Sequence, residues 1–227
     1  MKIAIITARS GSKRIKNKNI KNFCGSPIIE LVIKKLKKSK IFDKIIVSTD
    51  SKKISNIATK AGAWVPFLRS KKLSGDFAGT HEVVLDAINI LKKKFNINPD
   101  IVCCVYPTAV FFEKKELVEA IKIIKKKKTG YVFTATEATS SLFRSFSYKN
   151  KNFKIFNKKY YNFRTQDLPY IYYDIGQFYL AKTEVWQKQK NMFSKNSKII
   201  KMPKNRSYDI DNNDDWKIAE KLYLINE

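Results

Sequence analysis

Histidine occurs once in the 227 residues, cysteine three times, proline six times and glycine seven times. A lone histidine, His81, cannot build a multi-histidine metal site, and an ordinary role at a helix start is expected for it. Cys24, Cys103 and Cys104 have no metal-ligand spacing, and the adjacent pair would point to opposite faces of a strand. That usage suits a reduced, cytoplasmic setting. No apolar run approaches the roughly 20 residues that span a membrane, so no membrane partner is expected. The first residues enter a strand at once, which leaves no room for a secretory signal. There is no Gly/Ser linker and no internal repeat, so a single domain over residues 1–227 is expected.

Acidic residues are also scarce: 20 against 46 Lys and Arg, for a net charge of +26. Such a surplus invites a nucleic-acid reading. The lysines, however, gather in tracts such as Lys34-Lys35, Lys92 to Lys94 and Lys125 to Lys128, which read as solvated helix ends. The chain is equally rich in Ile and Asn, which share A/T-rich codons with Lys. Compositional bias is therefore preferred, with no nucleic-acid partner; a basic nucleic-acid-binding protein is the alternative of another class.

What is present is an alternation of strand and helix patterns. Ile3 to Ile6 reads as a buried strand, and Ser26-Pro27 as N-cap and first residue of a helix carrying Ile28, Val32, Ile33 and Leu36. Lys44 to Ser48 reads as a strand, followed by a helix that stops at Gly62. A helix around Val83 to Leu91, a strand from Ile101 to Tyr106, a helix around Leu117 to Ile124 and a strand from Tyr131 to Thr136 follow. Residues from about 138 to 173 are aromatic and basic without clean periodicity and read as an inserted arm. Strands at Ile175 to Ala181 and Lys198 to Met202 and a helix from Asp214 close the chain. Strand and helix in this order indicate an α/β fold with a mostly parallel, doubly wound sheet.

Open sheets of this kind gather ligands at the carboxyl ends of their strands. Three polar stretches fall there: Arg9 to Asn19, Ser48-Thr49-Asp50 and Tyr106-Pro107-Thr108. In the first, Gly11 and Ser12 offer backbone N–H groups and Arg9, Lys13 and Lys18 offer charge to a polyanion. It is no Walker loop, because Gly11 stands alone. Taken in isolation it also fits a basic surface loop. Asp50 reads as an N-cap for the next helix that could touch ligand as well. Near the end, Asp209 and Asp211, two apart in an extended segment, face the same way and suit one Mg²⁺. Asp214 and Asp215 read as cap and first-turn charge of the last helix. An EF-hand is excluded by the missing Gly and closing Glu.

The run Ala8-Arg9-Ser10-Gly11-Ser12-Lys13-Arg14-Ile15, followed by Lys18-Asn19, resembles the N-terminal signature of the cytidylyltransferases that activate nonulosonic (sialic-type) sugar acids. It departs from that signature at Thr7, where Pro is common, and at Ser10, where Gly is common. The resemblance covers nearly the whole chain and includes Leu68-Arg69, Gly79-Thr80 and Asp209-Ile210-Asp211. It implies a sheet of the nucleotide-diphospho-sugar transferase type with a small dimerisation arm, hence a homodimer. It further implies that Ala8, Arg9, Ser12, Lys13, Lys18, Asn19, Arg69 and Thr80 bind CTP, that Arg9, Lys13 and Lys18 serve catalysis, and that Asp209 and Asp211 hold Mg²⁺.

Within the family, members acting on N-acetylneuraminate usually carry an Arg-Pro-Asn-Gly type of element. Members acting on pseudaminic acid resemble Arg164-Thr165-Gln166-Asp167-Leu168-Pro169 and Asp174-Ile175-Gly176-Gln177-Phe178-Tyr179, as found here. The resemblance thus implies a nine-carbon 2-keto sugar acid met by Tyr106, Thr108, Arg164, Gln166, Asp174, Gln177, Phe178 and Tyr179. Core packing is the other reading for Phe178. The implied reaction transfers CMP from CTP to the anomeric hydroxyl of pseudaminic acid and releases pyrophosphate; N-acetylneuraminate, legionaminate or another 2-keto sugar acid is the alternative substrate.

Overall fold

The computed structural model describes residues 1–138 and 142–226. The first strand, β1 (Lys2–Thr7), is buried along its length because both faces of the sheet are covered. Its side chains alternate between two cores: Ala4 and Ile6 join one, Ile3 and Ile5 the other. A tight turn with Cys24 and Gly25 at positive φ joins β2 (Asn22–Phe23) to β3 (Ser26–Pro27). The helix α1 (Ile28–Ser39) then packs Ile29, Val32 and Ile33 on the first core. Pro27 is its N-cap, one residue later than the sequence suggests, because Ser26 and Pro27 pair with Phe23 and Asn22.

β4 (Lys44–Ser48) and α2 (Lys52–Lys60) follow, and Gly62 beyond α2 takes φ +91°. The N-cap of α2 is Ser51, whose Oγ accepts from the Ile54 N–H at 3.3 Å, so Asp50 does not have the capping role expected of it. α3 (Thr80–Phe95) lays Val84, Ala87, Ile88 and Leu91 on the second core. β5 (Ile101–Val105) splits its adjacent cysteines as expected, Cys103 into one core and Cys104 into the other. α4 (Lys114–Ile124) and β6 (Val132–Glu137) complete the regular alternation.

Beyond β6 the chain leaves the sheet. The excursion carries an antiparallel hairpin, β7 (Phe146–Lys149) and β8 (Asn152–Ile155), with Phe146, Tyr148, Phe153 and Phe156 exposed. Of the arm expected over about 138–173, residues 139–141 lie outside the described residues. The chain returns at β9 (Tyr172–Lys182), where the Ala138 N–H donates to the Ile171 carbonyl at 2.9 Å. α5 (Thr183–Lys188), β10 (Lys198–Lys201) and α6 (Asn213–Asn226) end the fold, with Trp216 and Tyr223 of α6 edge-on to Phe23.

The main sheet has six strands in the order β10-β6-β9-β5-β1-β4. β9 runs antiparallel to both β5 and β6; the other neighbours are parallel. The carboxyl ends of β1, β4 and β5 therefore meet the amino end of β9 along one edge. Among the described residues no helix is long and apolar enough to cross a membrane.

Candidate active site

A cleft of about 480 Å³ opens on that edge. The loop after β1 forms its cationic wall, and local bonds hold the loop in shape. The Ser12 N–H donates to the Ser10 carbonyl at 2.9 Å, and the Asn19 side chain donates to the Arg9 carbonyl at 2.8 Å. Asp50, at the end of β4, accepts from the Ser10 N–H at 2.9 Å and its hydroxyl at 2.6 Å. Partial burial by itself would raise the Asp50 carboxyl, but the Ser10 bonds outweigh it and hold the group below the usual range. Asp50 thus anchors the loop. Ala8 is buried behind the loop and ties it to β4 through its N–H on the Ser48 carbonyl at 3.0 Å.

Arg9, Ser12, Lys13, Lys18 and Asn19 all line the cleft. Asp209 and Asp211 line it as well. Their backbone is fixed by the start of α6: Asp215 accepts from the Asp211 and Asn212 N–H groups, each at 2.9 Å. Asn212 in turn accepts from Asp214 and Asp215 at 2.8 and 2.9 Å, so Asn212 is the residue that caps α6. The Lys18 ammonium donates to the Ile210 carbonyl between the two carboxylates. Crowding by protein pulls Lys18 below the usual lysine range, with Asp209 and Asp211 opposing that pull. Asp209 still meets solvent at the cleft wall, yet the same crowding, and then the like charge of Asp211, push its carboxyl up. A divalent cation would relieve that repulsion. Two carboxylates beside a cationic wall suit Mg²⁺, which takes one or two protein carboxylates together with phosphate.

Leu73, Ala78, Thr80, Val83, Tyr106 and Arg69 also line the cleft. Arg69 is held by its N–H on the Thr49 carbonyl at 2.7 Å and its Nε on Ser74 Oγ at 3.3 Å. Burial lowers its pKa, countered by Asp50 and Asp86. The Thr80 hydroxyl and the Tyr106 phenol are hydrogen-bonded at 2.9 Å, and burial pushes the phenol up to about 12. Thr108 lines the cleft too.

The remaining sugar-site expectations fall outside the cleft. Arg164 and Gln166 are exposed on the arm, Arg164 paired with Asp167 at 2.7 Å. Gln177 and Phe178 are buried and packed in the core. Gln177 Oε1 accepts from the Phe111 N–H at 3.0 Å, and Phe178 packs edge-on to Phe112. Tyr179 is buried with its hydroxyl on Asp174, itself half-buried. His81 has its expected structural place at the start of α3: its Nε2 lies 2.8 Å from the Trp186 carbonyl.

Two cleft residues escape a reading of the sequence. Asp76 bridges Arg9 at 2.7 Å and Lys13 at 2.5 Å, and Arg14 pairs with Asp211 at 2.7 Å. Arg14 sits inside the basic run and could have been named with its neighbours. Asp76 lies in a short aperiodic loop that carries no local signal.

Residues 3–226 match a family model described as Cytidylyltransferase. The chain belongs to the cytidylyltransferase family. As a cytidylyltransferase it is a nucleotidyltransferase. It is 38% identical over 226 residues to a pseudaminic acid cytidylyltransferase of Campylobacter jejuni subsp. jejuni serotype O:2, covering 99% of this chain and 97% of that one. It is 31% identical over 231 residues to a CMP-N,N'-diacetyllegionaminic acid synthase of Legionella pneumophila subsp. pneumophila, covering 99% and 97%. A solved CMP:2-keto-3-deoxy-manno-octonic acid synthetase complexed with CTP shares the fold, with a TM-score of 0.74 at 11% identity over 100% of this chain and 99% of that one. In this cytidylyltransferase the fold brings a cationic loop and an acidic pair to one cleft.

Proposed function

We propose that this cytidylyltransferase transfers CMP from CTP to the anomeric hydroxyl of pseudaminic acid and releases pyrophosphate, in the cytoplasm and as a homodimer. The observation that carries the nucleotide reading is the cleft itself. Arg9, Lys13 and Lys18 line it, and with Arg69 and Thr80 it also offers partners to a flat base. The sugar reading draws on the relative named for that substrate, 38% identical over nearly the full length of both chains.

The anomeric oxygen attacks the α-phosphorus, the bond from that phosphorus to the oxygen bridging to the β-phosphate breaks, and the hydroxyl proton passes to water as pyrophosphate leaves. No covalent enzyme intermediate is needed, because positioning and neutralisation of charge carry the reaction. Arg9, Lys13 and Lys18 offset the charge of the triphosphate and of the departing pyrophosphate. Asp209 and Asp211 would hold Mg²⁺, which when bound supplies charge neutralisation to the phosphates. Arg69 and Thr80 meet the base, and Thr108 lies towards the sugar. The arm's exposed aromatic side chains suit burial against a second copy, in which Arg164 and Gln166 would reach the partner's cleft.

A pyrophosphate-release assay with CTP, Mg²⁺ and a panel of pseudaminate, N,N'-diacetyllegionaminate and N-acetylneuraminate tests this. Turnover is expected to be highest with pseudaminate. Equal or better turnover of another sugar overturns the substrate assignment, and salt-sensitive binding of RNA or DNA without turnover overturns the enzyme reading.

A further inference from the structure

Asp211, one of the two carboxylates proposed to hold Mg²⁺, is paired with a cation of the protein itself. Arg14 Nη2 lies 2.7 Å from Asp211 Oδ1, with the two side chains 69% and 45% exposed. Both residues line the cleft, as do Arg9, Lys13 and Lys18 of the loop that carries Arg14. The backbone on each side of the pair is held. Ile15, next to Arg14, is buried in the first core, and its carbonyl accepts from the Lys18 N–H at 3.2 Å. Asp211 is tied through its own N–H to Asp215 at 2.9 Å. What can move is the long, exposed Arg14 side chain.

A divalent cation at Asp209 and Asp211 must compete with that guanidinium for Asp211. Lys18 is the harder cation to displace, because it is half-buried and its ammonium bonds to the Ile210 carbonyl rather than to a carboxylate. Arg14 and Lys18 already repel one another, and that repulsion helps to pull Lys18 below the usual lysine range. A further positive centre beside them is repelled by both, and Arg14 is the group free to leave. A guanidinium is a donor only, and a phosphate chain on Arg9 and Lys13 of the same loop offers it paired acceptors.

We propose that Arg14 is an exchangeable counter-ion, which yields Asp211 to a divalent cation and passes to the phosphates of the nucleotide, so that metal and nucleotide each make room for the other. The inference rests on the nucleotide and metal readings above. The coupling is reciprocal: phosphate that draws Arg14 away frees the metal ligand, and metal that takes Asp211 frees the guanidinium. Exposed ion pairs are weak, so Arg14 should hold metal affinity down by only about two- to fivefold.

Calorimetry with Mn²⁺ alone, without nucleotide, tests the first half. Arg14→Gln should bind Mn²⁺ about two- to fivefold tighter than wild type. Lys16→Gln removes the same charge from an exposed position in the same loop that does not line the cleft, and should change Mn²⁺ affinity less. Pyrophosphate binding in EDTA tests the second half. Asp211→Asn should tighten it, and at least half of that gain should vanish when Arg14→Gln is added, since the gain then lacks the guanidinium that Asp211 released. Unchanged or weaker Mn²⁺ binding by Arg14→Gln, equal tightening by Lys16→Gln, or the same pyrophosphate gain in both backgrounds overturns the exchange. Mn²⁺ binding that Asp211→Asn leaves unaltered would instead overturn the metal reading on which it stands.

Discussion

Replacing Arg206 by methionine should destabilise the protein more than any surface charge change. The Arg206 side chain is 7% exposed and donates to Glu116, 5% exposed, at 2.7 Å, and to the Phe111 carbonyl at 3.1 Å. A further contact to Glu113 at 3.1 Å involves a carboxylate that is 41% exposed and adds little. Methionine keeps the apolar stem, so the loss isolates the charge. Stranding Glu116 costs about 3–5 kcal/mol, which at this chain length is a drop in Tm of about 6–20 °C. Glu116 keeps one partner, since its other oxygen accepts from the Glu113 N–H at 2.7 Å, which favours the lower half of that range. Adding Glu116→Gln removes the stranded charge and should restore at least half of the lost stability. Denaturant titration of wild type, both single variants and the double variant gives the coupling directly. A single-variant loss under about 1 kcal/mol, or a double variant no better than the single, would refute the argument. Arg206 also ties the segment leading into Asp209 onto α4, so the Mg²⁺ concentration for half-maximal turnover should rise in the folded fraction.

Asp211→Asn should leave Tm within a few degrees while abolishing turnover at ordinary Mg²⁺; wild-type rates would remove the pair from the metal assignment. Asp76→Asn frees Arg9 and Lys13 from a competing carboxylate, so tripolyphosphate, read by calorimetry, should bind several-fold tighter, and weaker binding would mean that Asp76 orients the cations instead. Gln177→Ala strands the Phe111 N–H and should cost about 1–3 kcal/mol of stability while leaving the order of preference among sugars unchanged; a changed order would return Gln177 to the sugar site.

Much of the cleft is legible in the sequence because its parts are local signals at strand ends. The basic run after β1 and the spaced carboxylates Asp209 and Asp211 need only short-range pattern to be seen. Where the reading fails, a neighbour competes or a partner is distant. Ser51 takes the cap expected of Asp50, one residue away, and so frees Asp50 to hold Ser10 across two strands. Asp76 meets cations more than sixty positions earlier in the chain. Gln177, Phe178 and Tyr179 lie on a strand buried on both faces, where alternation does not mark an outer side. The register of β9 against β6 also shifts between Phe133 and Ala135, which no periodicity in the sequence announces.

The antiparallel course of β9 has a consequence for how such enzymes diversify. A parallel strand would have to be entered from the far edge, but β9 begins at the ligand edge, beside the end of β6. The excursion between them therefore departs and returns at one point, clasped by Ala138 and Ile171. Closing a loop of different length across so short a gap costs little, about 0.6 kcal/mol for each doubling. The length of this segment can thus change at little cost to the pairing of β6 with β9.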